Sequence, residues 1–516
     1  MTNDRDNLPL QMTPSGEQVD TRPAHVEQWL NSLSYADFQK TGQLLYEATL
    51  ATNQQLVKPS VRLELVELYN RPYQYYIDSR IKTEAQHTLQ SIESVQSQIN
   101  MLKRIAVNLG YACKLAAEEE LRKKSLWRQS TPPLATLLSA LTYLSQALIF
   151  SYLEYSPAPK NLWLDLNSIY DYAETLGKEN SALPLSASDA HQTMHTVAQS
   201  YKRIVLASLS DPHQLPFGAI WEIYEQLDSW TGYVHITRYG SRDDPAGNFV
   251  VDLNGDTAPV PYFKFNHDRA TDKHRLIDAT RLSGLIQDKC ESIRRDNNLN
   301  DNLKFSPHHA KLVLNHLSRT WSLPPRRYFP REERKGLLSL ACGLNAAYFF
   351  INNETEDLPG QDGPPVSSEF KAEEWELVDQ GSGGIAVIRN TRPGHDIRIG
   401  DLVAINHDKK EKKWIIGIIR WMMVYKTYNY KIGIQIIAKS ALPVAVRALS
   451  GSVQDSQFQR ALSVSEDNEQ FLLTGKGMYM EDRELEIKTQ DGTFRAGATA
   501  IKESTLGFEY FHIRIQ

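Results

Sequence analysis

The chain has 516 residues, of which 41% are apolar and 23% are charged, and its formal net charge is −5. This length exceeds what one hydrophobic core usually organises, so two to four domains are expected, with the composition of an ordinary globular protein. The negative charge argues against a dedicated nucleic-acid binder, because that class carries a clear basic excess. Any anion-binding site must therefore be local.

Residues 1–22 are polar and acidic, and they predict a disordered tail. They lack the basic segment and apolar stretch of a signal peptide. The run of residues 414–425, the longest apolar run by inspection, is interrupted by Arg420 and is too short to span a bilayer. The sequence therefore predicts a cytoplasmic protein without a membrane span.

The three cysteines give no sign of a structural or metal framework. Cys113, Cys290 and Cys342 are odd in number, far apart and free of CxxC spacing. Neither disulfides nor a zinc site is indicated, so we expect reduced cysteines in the core.

Residues 23–232 show helical periodicity, and residues 86–121 predict one long helix. Residues 143–177 resemble residues 200–232, since each has an apolar helix, a proline-containing link and a second helix with a tryptophan and an Ile-Tyr pair. Stacked units of this kind form scaffolds that bind protein partners on a concave surface. Two copies make a weak repeat, so a plain helical domain stays an open alternative.

Residues 233–320 predict a mixed hairpin and helix connector, with helices over residues 275–293 and 308–321. Residues 252–256 are similar to the start of a calcium loop but lack its closing glutamate. The pair at residues 308–309, two histidines, fits a solvated or capping role better than a metal site. No metal is therefore predicted.

After residue 331 the pattern is that of β-strands, which predicts a small antiparallel barrel within residues 321–447. The predicted strands are residues 337–350, 375–378, 385–389, 402–406, 414–425 and 431–437. Residues 455–516 hold further strands, which predict a second β module or an extension of the barrel. The fold class is thus α+β multidomain: an all-α, repeat-like scaffold, a barrel and a β-rich C-terminal extension.

Two short segments of this β region carry the chemistry of an anion site. Arg326, Arg327 and Arg331 precede the first strand, and residues 379–384 form a glycine-rich loop between two strands. Guanidinium groups bind phosphate bidentately and read the O6/N7 edge of guanine, while glycines let backbone amides approach a ligand. A purely structural explanation stays open, in which the arginines pair with neighbouring glutamates and the glycines form a hairpin.

Together the two segments resemble the PilZ domain, whose pattern is RRxxxR before the first strand and [D/N]xSxxG after the second. The resemblance covers about residues 321–447, a quarter of the chain. PilZ domains are bacterial receptors for cyclic di-GMP. The resemblance therefore implies a barrel that binds this nucleotide, with neither a cofactor nor catalytic residues.

Carried over by position, the implied ligand residues are Arg326, Arg327, Arg331, Asp379, Gly381, Ser382 and Gly384. The arginines would hold phosphate and guanine, Asp379 would accept hydrogen bonds from a guanine edge, and Gly384 would keep the loop close to the ligand. The family serine falls on Gly381, and a serine stands one place later, at Ser382. Glycines flank Ser382, so the hydroxyl could still reach the ligand.

The sequence as a whole predicts a non-enzymatic cyclic di-GMP receptor that converts nucleotide binding at the junction of linker and barrel into a change in protein–protein interaction. The partners are the nucleotide and an unidentified protein bound through the helical domain, and no nucleic-acid polymer is expected. The alternative is a helical adaptor with a degenerate barrel that binds no nucleotide, which the glycine at the family serine position favours.

Overall fold

The computed structural model describes residues 19–81, 92–124, 133–184, 194–296, 303–322, 332–352, 370–391, 393, 397–407, 413–425, 429–449, 457–466 and 468–516. The chain divides into two compact units, Met1–Pro325 and Arg326–Gln516. Most of the predicted N-terminal tail, residues 1–18, lies outside the described residues.

The first part of unit Met1–Pro325 is helical, as predicted. Its helices are α1 (Pro23–Asn31), α2 (Phe38–Asn53), α3 (Pro59–Tyr76), α4 (Ile92–Lys124), α5 (Leu134–Leu153), α6 (Leu162–Thr175), α7 (Val197–Leu209) and α8 (Ala219–Trp230). The long helix predicted from periodicity is α4, and its face with Ile99, Leu102 and Ile105 is buried. Two short strands, β1 (Leu183–Pro184) and β2 (Met194–His195), pair between α6 and α7.

Helix α5 lies at the centre of this unit and packs against α4, α6, α7 and α8. It is the one helix, in the part of the chain that the structure describes, that is long and apolar enough to cross a membrane by length and composition. About 72% of its apolar window is buried inside the unit, as in the core helix of a globular domain. This stretch is longer than the run at residues 414–425, so the prediction that the latter is the longest apolar run was wrong.

The two helix pairs α5–α6 and α7–α8 share the same backbone geometry. In each pair the second residue after the first helix has a positive φ: Tyr155 at 54° and Asp211 at 52°. The residue before the second helix is again left-handed, Asn161 at 64° and Gly218 at 85°. Left-handed backbone is rare outside glycine, so this coincidence supports a repeated helix–link–helix unit.

The remainder of the unit is a four-stranded sheet and two helices. The strands β3 (His235–Arg238), β4 (Asn248–Asp252), β5 (Val260–Pro261) and β6 (His274–Asp278) lie in the order β3-β6-β4-β5, followed by α9 (Thr280–Asp296) and α10 (Pro307–Trp321). The prediction that a helix starts at residue 275 was wrong, because residues 275–278 belong to β6, which pairs with both β3 and β4. The helix starts at Thr280. The segment predicted as a connector shares one apolar core with the helices.

The calcium-like segment at residues 252–256 has a structural role. The carboxylate of Asp256 accepts hydrogen bonds from the backbone amides of Asn161 (2.6 Å) and Leu164 (3.3 Å), at the start of α6. A carboxylate there satisfies free amides and complements the helix dipole. Nowhere among the described residues do three or more His, Cys, Asp or Glu side chains gather as metal ligands would.

The first barrel of unit Arg326–Gln516 closes as β10-β11-β12-β9-β8-β7, with every pairing antiparallel. Its strands are β7 (Glu332–Cys342), β8 (Glu373–Gly381), β9 (Gly384–Arg389), β10 (Leu402–Asn406), β11 (Ile415–Tyr425) and β12 (Asn429–Ala438). The predicted strand at residues 337–350 was wrong in its second half, which is helix α11 (Leu344–Ile351). A short apolar run fits either element, and Gly343, at φ 92°, makes the turn.

The C-terminal strands form a second closed barrel rather than an extension of the first. They are β13 (Leu442–Ala448), β14 (Gln459–Glu466), β15 (Glu469–Thr474), β16 (Glu484–Lys488), β17 (Thr493–Ser504) and β18 (Glu509–Ile515), in the order β13-β14-β15-β18-β17-β16. When the strands are numbered one to six within each barrel, both barrels close in the order 1-2-3-6-5-4. The second barrel is a topological duplicate of the first.

The two barrels and α11 share an apolar cluster, here called the seam. The first barrel contributes outward-facing residues of β10 and β11, including Leu402, Ala404 and Ile418. The second contributes outward-facing residues of β14, β15 and β18, including Phe471 and Tyr510. Its own interior is a separate cluster.

The described cysteines are free, as expected. Cys113 and Cys290 are buried and Cys342 is partly buried. Burial raises the pKa of the Cys113 and Cys342 thiols, which suits inert core residues.

We expect the first unit to lose stability as the pH falls from about 7 to about 5. The His316 ring, on α10, lies 2.6 Å from the Ser210 carbonyl oxygen at the end of α7, and burial lowers its pKa to about 4. Since the unfolded chain takes up this proton near pH 6.5, about 2 kcal/mol is lost by pH 5. Urea denaturation at both pH values measures the difference.

The control is His235→Gln, which alters an exposed histidine on β3 and should keep the wild-type pH dependence. His316→Gln should be less stable at pH 7 but should flatten the profile. An unchanged profile in His316→Gln would contradict this origin of the pH dependence.

Candidate functional site

The glycine-rich segment forms the tight hairpin between β8 and β9. Gly381 pairs with Gly384, so Ser382 and Gly383 make a two-residue turn, and both are exposed. The backbone amide of Ile436 on β12 donates to the Gly383 carbonyl (3.1 Å) and ties the turn to a third strand. Asp379 lies two residues before Gly381, next to an irregularity of β8.

Gly384 has a packing role that the sequence did not reveal. A Cβ on this residue would lie 2.4 Å from the Ile434 carbonyl oxygen of the neighbouring strand. No side chain fits there without backbone movement. Gly384 therefore fixes the close approach of β9 to β12, which holds the hairpin against the barrel.

Asp379 belongs to a row of residues that crosses the outer face of the first barrel. It pairs with Ala386 on β9, Ala386 pairs with Gly433 on β12, and Gly433 pairs with Trp421 on β11. Directly paired residues point to the same face of a sheet. The row thus has a carboxylate at one end, two small residues in the middle and an indole at the other end.

The Trp421 indole lies directly over Gly433. A Cβ added to Gly433 would lie 1.8 Å from the indole Nε1 atom. The pairing of β11 with β12 is irregular between Ile419 and Trp421, and this bulge turns the side chains of both Arg420 and Trp421 to the outside. Bulges commonly redirect a side chain in this way beside functional sites.

A guanidinium lies at the edge of the barrel beside the hairpin, next to the carboxylates of Glu332, Glu333 and Asp379. Arg334 on β7 donates from Nη1 to the Gln380 side-chain oxygen (3.3 Å). Burial, together with the nearby Arg334 guanidinium, lowers the pKa of His407, which follows β10. A guanidinium that disfavours a second positive charge would equally favour an anion.

The structure places four of the seven predicted ligand residues together on this hairpin: Asp379, Gly381, Ser382 and Gly384. The predictions for Arg326, Arg327 and Arg331 lie outside the described residues.

Two family models match the chain. The model for the N-terminal domain of the cyclic-di-GMP receptor FimW matches residues 24–243, and the model for the middle PilZ domain of that receptor matches residues 248–358 and 360–443. The chain belongs to the PilZ-containing cyclic-di-GMP receptor family. Neither matched model is that of an enzyme.

A curated relative aligns with the whole of this chain. The cyclic-di-GMP receptor FimW of Pseudomonas aeruginosa is 22% identical over 588 aligned positions, which cover 100% of this chain and 94% of the relative. The predicted PilZ resemblance and the predicted fold class are confirmed. The match to the PilZ model starts at residue 248, so it includes strands that the sequence analysis placed in a connector.

The second barrel does not carry the residues of the PilZ hairpin. Its hairpin between β14 and β15 closes with the pair Glu466 and Glu469, where the first barrel has Gly381 and Gly384. At the place of Asp379, two residues before the closing pair, stands Val464. Val464 belongs to the seam, so the face that corresponds to the Asp379 face of the first barrel is covered by the first barrel and α11.

Sequence reasoning missed Trp421, Arg334 and Arg420. The tryptophan was assigned only to a strand, although a bulky aromatic residue opposite a strand glycine can signal a ring that covers that glycine. No pattern in the sequence marks the bulge that exposes Arg420 and Trp421 together.

We expect Gly433→Ala to displace the Trp421 indole. The new methyl group overlaps the ring, and overpacking of this kind costs about 1–3 kcal/mol of folding free energy. Thermal unfolding measures the loss, and tryptophan fluorescence reports the new environment of the ring.

The matched control is Gly497→Ala on β17, where a Cβ would meet nothing within 4 Å. This variant should keep wild-type stability and fluorescence. If Gly433→Ala behaved like the control, the indole would not cover Gly433 in solution.

Proposed function

We propose that this chain is a non-enzymatic cyclic di-GMP receptor that binds the nucleotide on the outer face of its first barrel. The proposal rests on one observation above the rest. Asp379 and the Gly381–Gly384 hairpin stand beside β7, the strand that directly follows the RRxxxR segment. Family membership supports the ligand and the absence of catalysis.

The row from Asp379 to Trp421 suits one guanine base. An aspartate carboxylate can accept hydrogen bonds from the N1–H and N2–H₂ groups of guanine. The indole covers Gly433 and is itself partly exposed, so it offers an aromatic surface for stacking at the other end of the row. Gly384 holds the hairpin in place beside this row.

The arginine segment supplies the positive charge. Strand β7 starts at Glu332, which pairs with Gln380, and Glu333 pairs with Asp379. Arg331 is the residue before Glu332 in the sequence, so one peptide bond separates it from the strand beside the hairpin. We propose that Arg327 and Arg331 bind phosphate and guanine, and that Arg326 adds a stacking or guanine-edge contact.

Ligand binding would then change how the chain contacts a protein partner. The arginine segment lies in sequence between the helical unit and the barrel, so closing it over a nucleotide constrains the link. The helical unit, with its repeated helix pairs, is the proposed partner surface, and the receptor would act in the cytoplasm. The ligand can shift this equilibrium only by its differential affinity for the two states.

One observation favours a second function, that of an adaptor without nucleotide. Ser382 is at the exposed turn, and the family serine position is Gly381 in the closing pair of the hairpin. A hydroxyl one residue further along a strand points differently. An adaptor of this kind would have the same fold and the same partner surface but would bind no nucleotide.

Calorimetric titration with cyclic di-GMP separates the two functions. Wild type should bind, and Arg327→Ala with Arg331→Ala should lose at least about 100-fold in affinity, since each charge-assisted contact contributes about 1.5–3 kcal/mol. Asp379→Ala should weaken binding, whereas Asp379→Asn should bind more tightly than Asp379→Ala because it keeps one acceptor.

The control is the double variant Arg495→Ala and Arg514→Ala, which removes two exposed arginines from the second barrel. It should bind like wild type. Absence of binding by the folded wild type would favour the adaptor. Unchanged binding by the Arg327/Arg331 variant would end the site assignment.

A further inference from the structure

Arg420 connects the proposed ligand face with the second barrel. Its guanidinium donates from Nη2 to Glu503 on β17 (2.7 Å), and Nη1 bonds the other oxygen of the same carboxylate. Its Nε donates to the Gln435 side-chain oxygen on β12 (2.7 Å). The two barrels are thereby joined by a bidentate ion pair at the edge of the seam.

Arg420 lies two strands away from the glycines of the hairpin. Gln435, which holds the Arg420 Nε, pairs directly with Gly384 on β9. Neighbouring strands are about 4.8 Å apart, so β11 lies about 10 Å from the glycine across β12. Arg420 also stands next to Trp421, at the indole end of the row that starts with Asp379.

The pair is not sealed inside the protein. The side chains of Arg420 and Glu503 are 34% and 24% exposed. A partly exposed guanidinium can be reached by a ligand on the outer face, whereas a fully buried one could not. The carboxylate that holds it presents two oxygens, the same bidentate geometry that a phosphate offers.

We propose that a phosphate group of the bound cyclic dinucleotide competes with Glu503 for Arg420. Arg420 is then a further ligand residue, and its exchange between the two anions links nucleotide binding to the contact between the barrels. This inference rests on the proposed function, because it takes the same face as the binding site.

The competition sets the direction of the coupling. In the free protein Glu503 holds Arg420 against the second barrel, and ligand must displace this carboxylate. By linkage, whatever weakens the ion pair strengthens nucleotide binding, and bound nucleotide weakens the ion pair equally. The seam itself is apolar, so the barrels stay in contact through it when the ion pair between Arg420 and Glu503 breaks.

Titration of the full chain with cyclic di-GMP tests the competition. Glu503→Gln removes the competing charge and should tighten binding about two- to fivefold, the range that a partly exposed ion pair supports. Arg420→Ala should weaken binding, and the double variant should bind like Arg420→Ala, because Glu503 acts only through Arg420.

The chain offers a matched control in the pair Arg447 and Glu486, which links β13 and β16 of the second barrel (Nε to Oε2, 2.6 Å). Arg447→Ala and Glu486→Gln should leave the affinity unchanged. Thermal unfolding of every variant shows that the fold is kept.

The outcomes are distinguishable from failure of the proposed function. If wild type does not bind the nucleotide, the receptor function fails. If wild type binds but Glu503→Gln binds with the same or lower affinity, the competition is overturned, even when Arg420→Ala is weaker. Tighter binding by Glu486→Gln would also overturn it, because the effect would then be one of general charge.

Discussion

The docking of the second barrel on the first, through the seam, decides which surface of the first barrel a ligand can reach. Strand β10 is buried on both faces, since one side lines the barrel and the other packs against α11 and the second barrel. The outward face of β8, β9 and β12, which carries the row from Asp379 to Trp421, lies outside the seam. The second barrel uses its own corresponding face, on β14, β15 and β18, to make that contact. Duplicate folds thus present the same face differently: the first barrel leaves it for the proposed ligand, and the second packs it against its neighbour.

The bulge in β11 is the local feature that joins these two roles. A regular strand would turn Arg420 and Trp421 to opposite faces, and one of them would enter the barrel interior. The extra residue brings both to the outside, the indole over Gly433 and the guanidinium to Glu503. The proposed ligand face and the seam therefore meet at two consecutive residues.

Periodicity predicted much of the architecture and failed where an element depends on distant partners. The alternation in β12 and the long pattern of α4 were predicted correctly, because their buried faces repeat with the period of the element. Helix α11 was predicted as strand, since a run of eight apolar or small residues fits both periods. Residues 275–278 of β6 were predicted as helix, because the pairing of β6 with β3 and β4 is not visible in its own residues.

By itself, the sequence determined the helical and β regions, the PilZ resemblance and the chemistry of the hairpin, because residue type and local spacing carry that information. Tertiary structure alone decided that the C-terminal strands close as a second barrel with the same strand order. It also decided that Ile434 and Trp421 approach Gly384 and Gly433 too closely for any side chain at the two glycines. The bond from Arg420 to Glu503, 83 residues away, is likewise set by the tertiary structure. These contacts come from strand register and bulges, which depend on how separated strands pair.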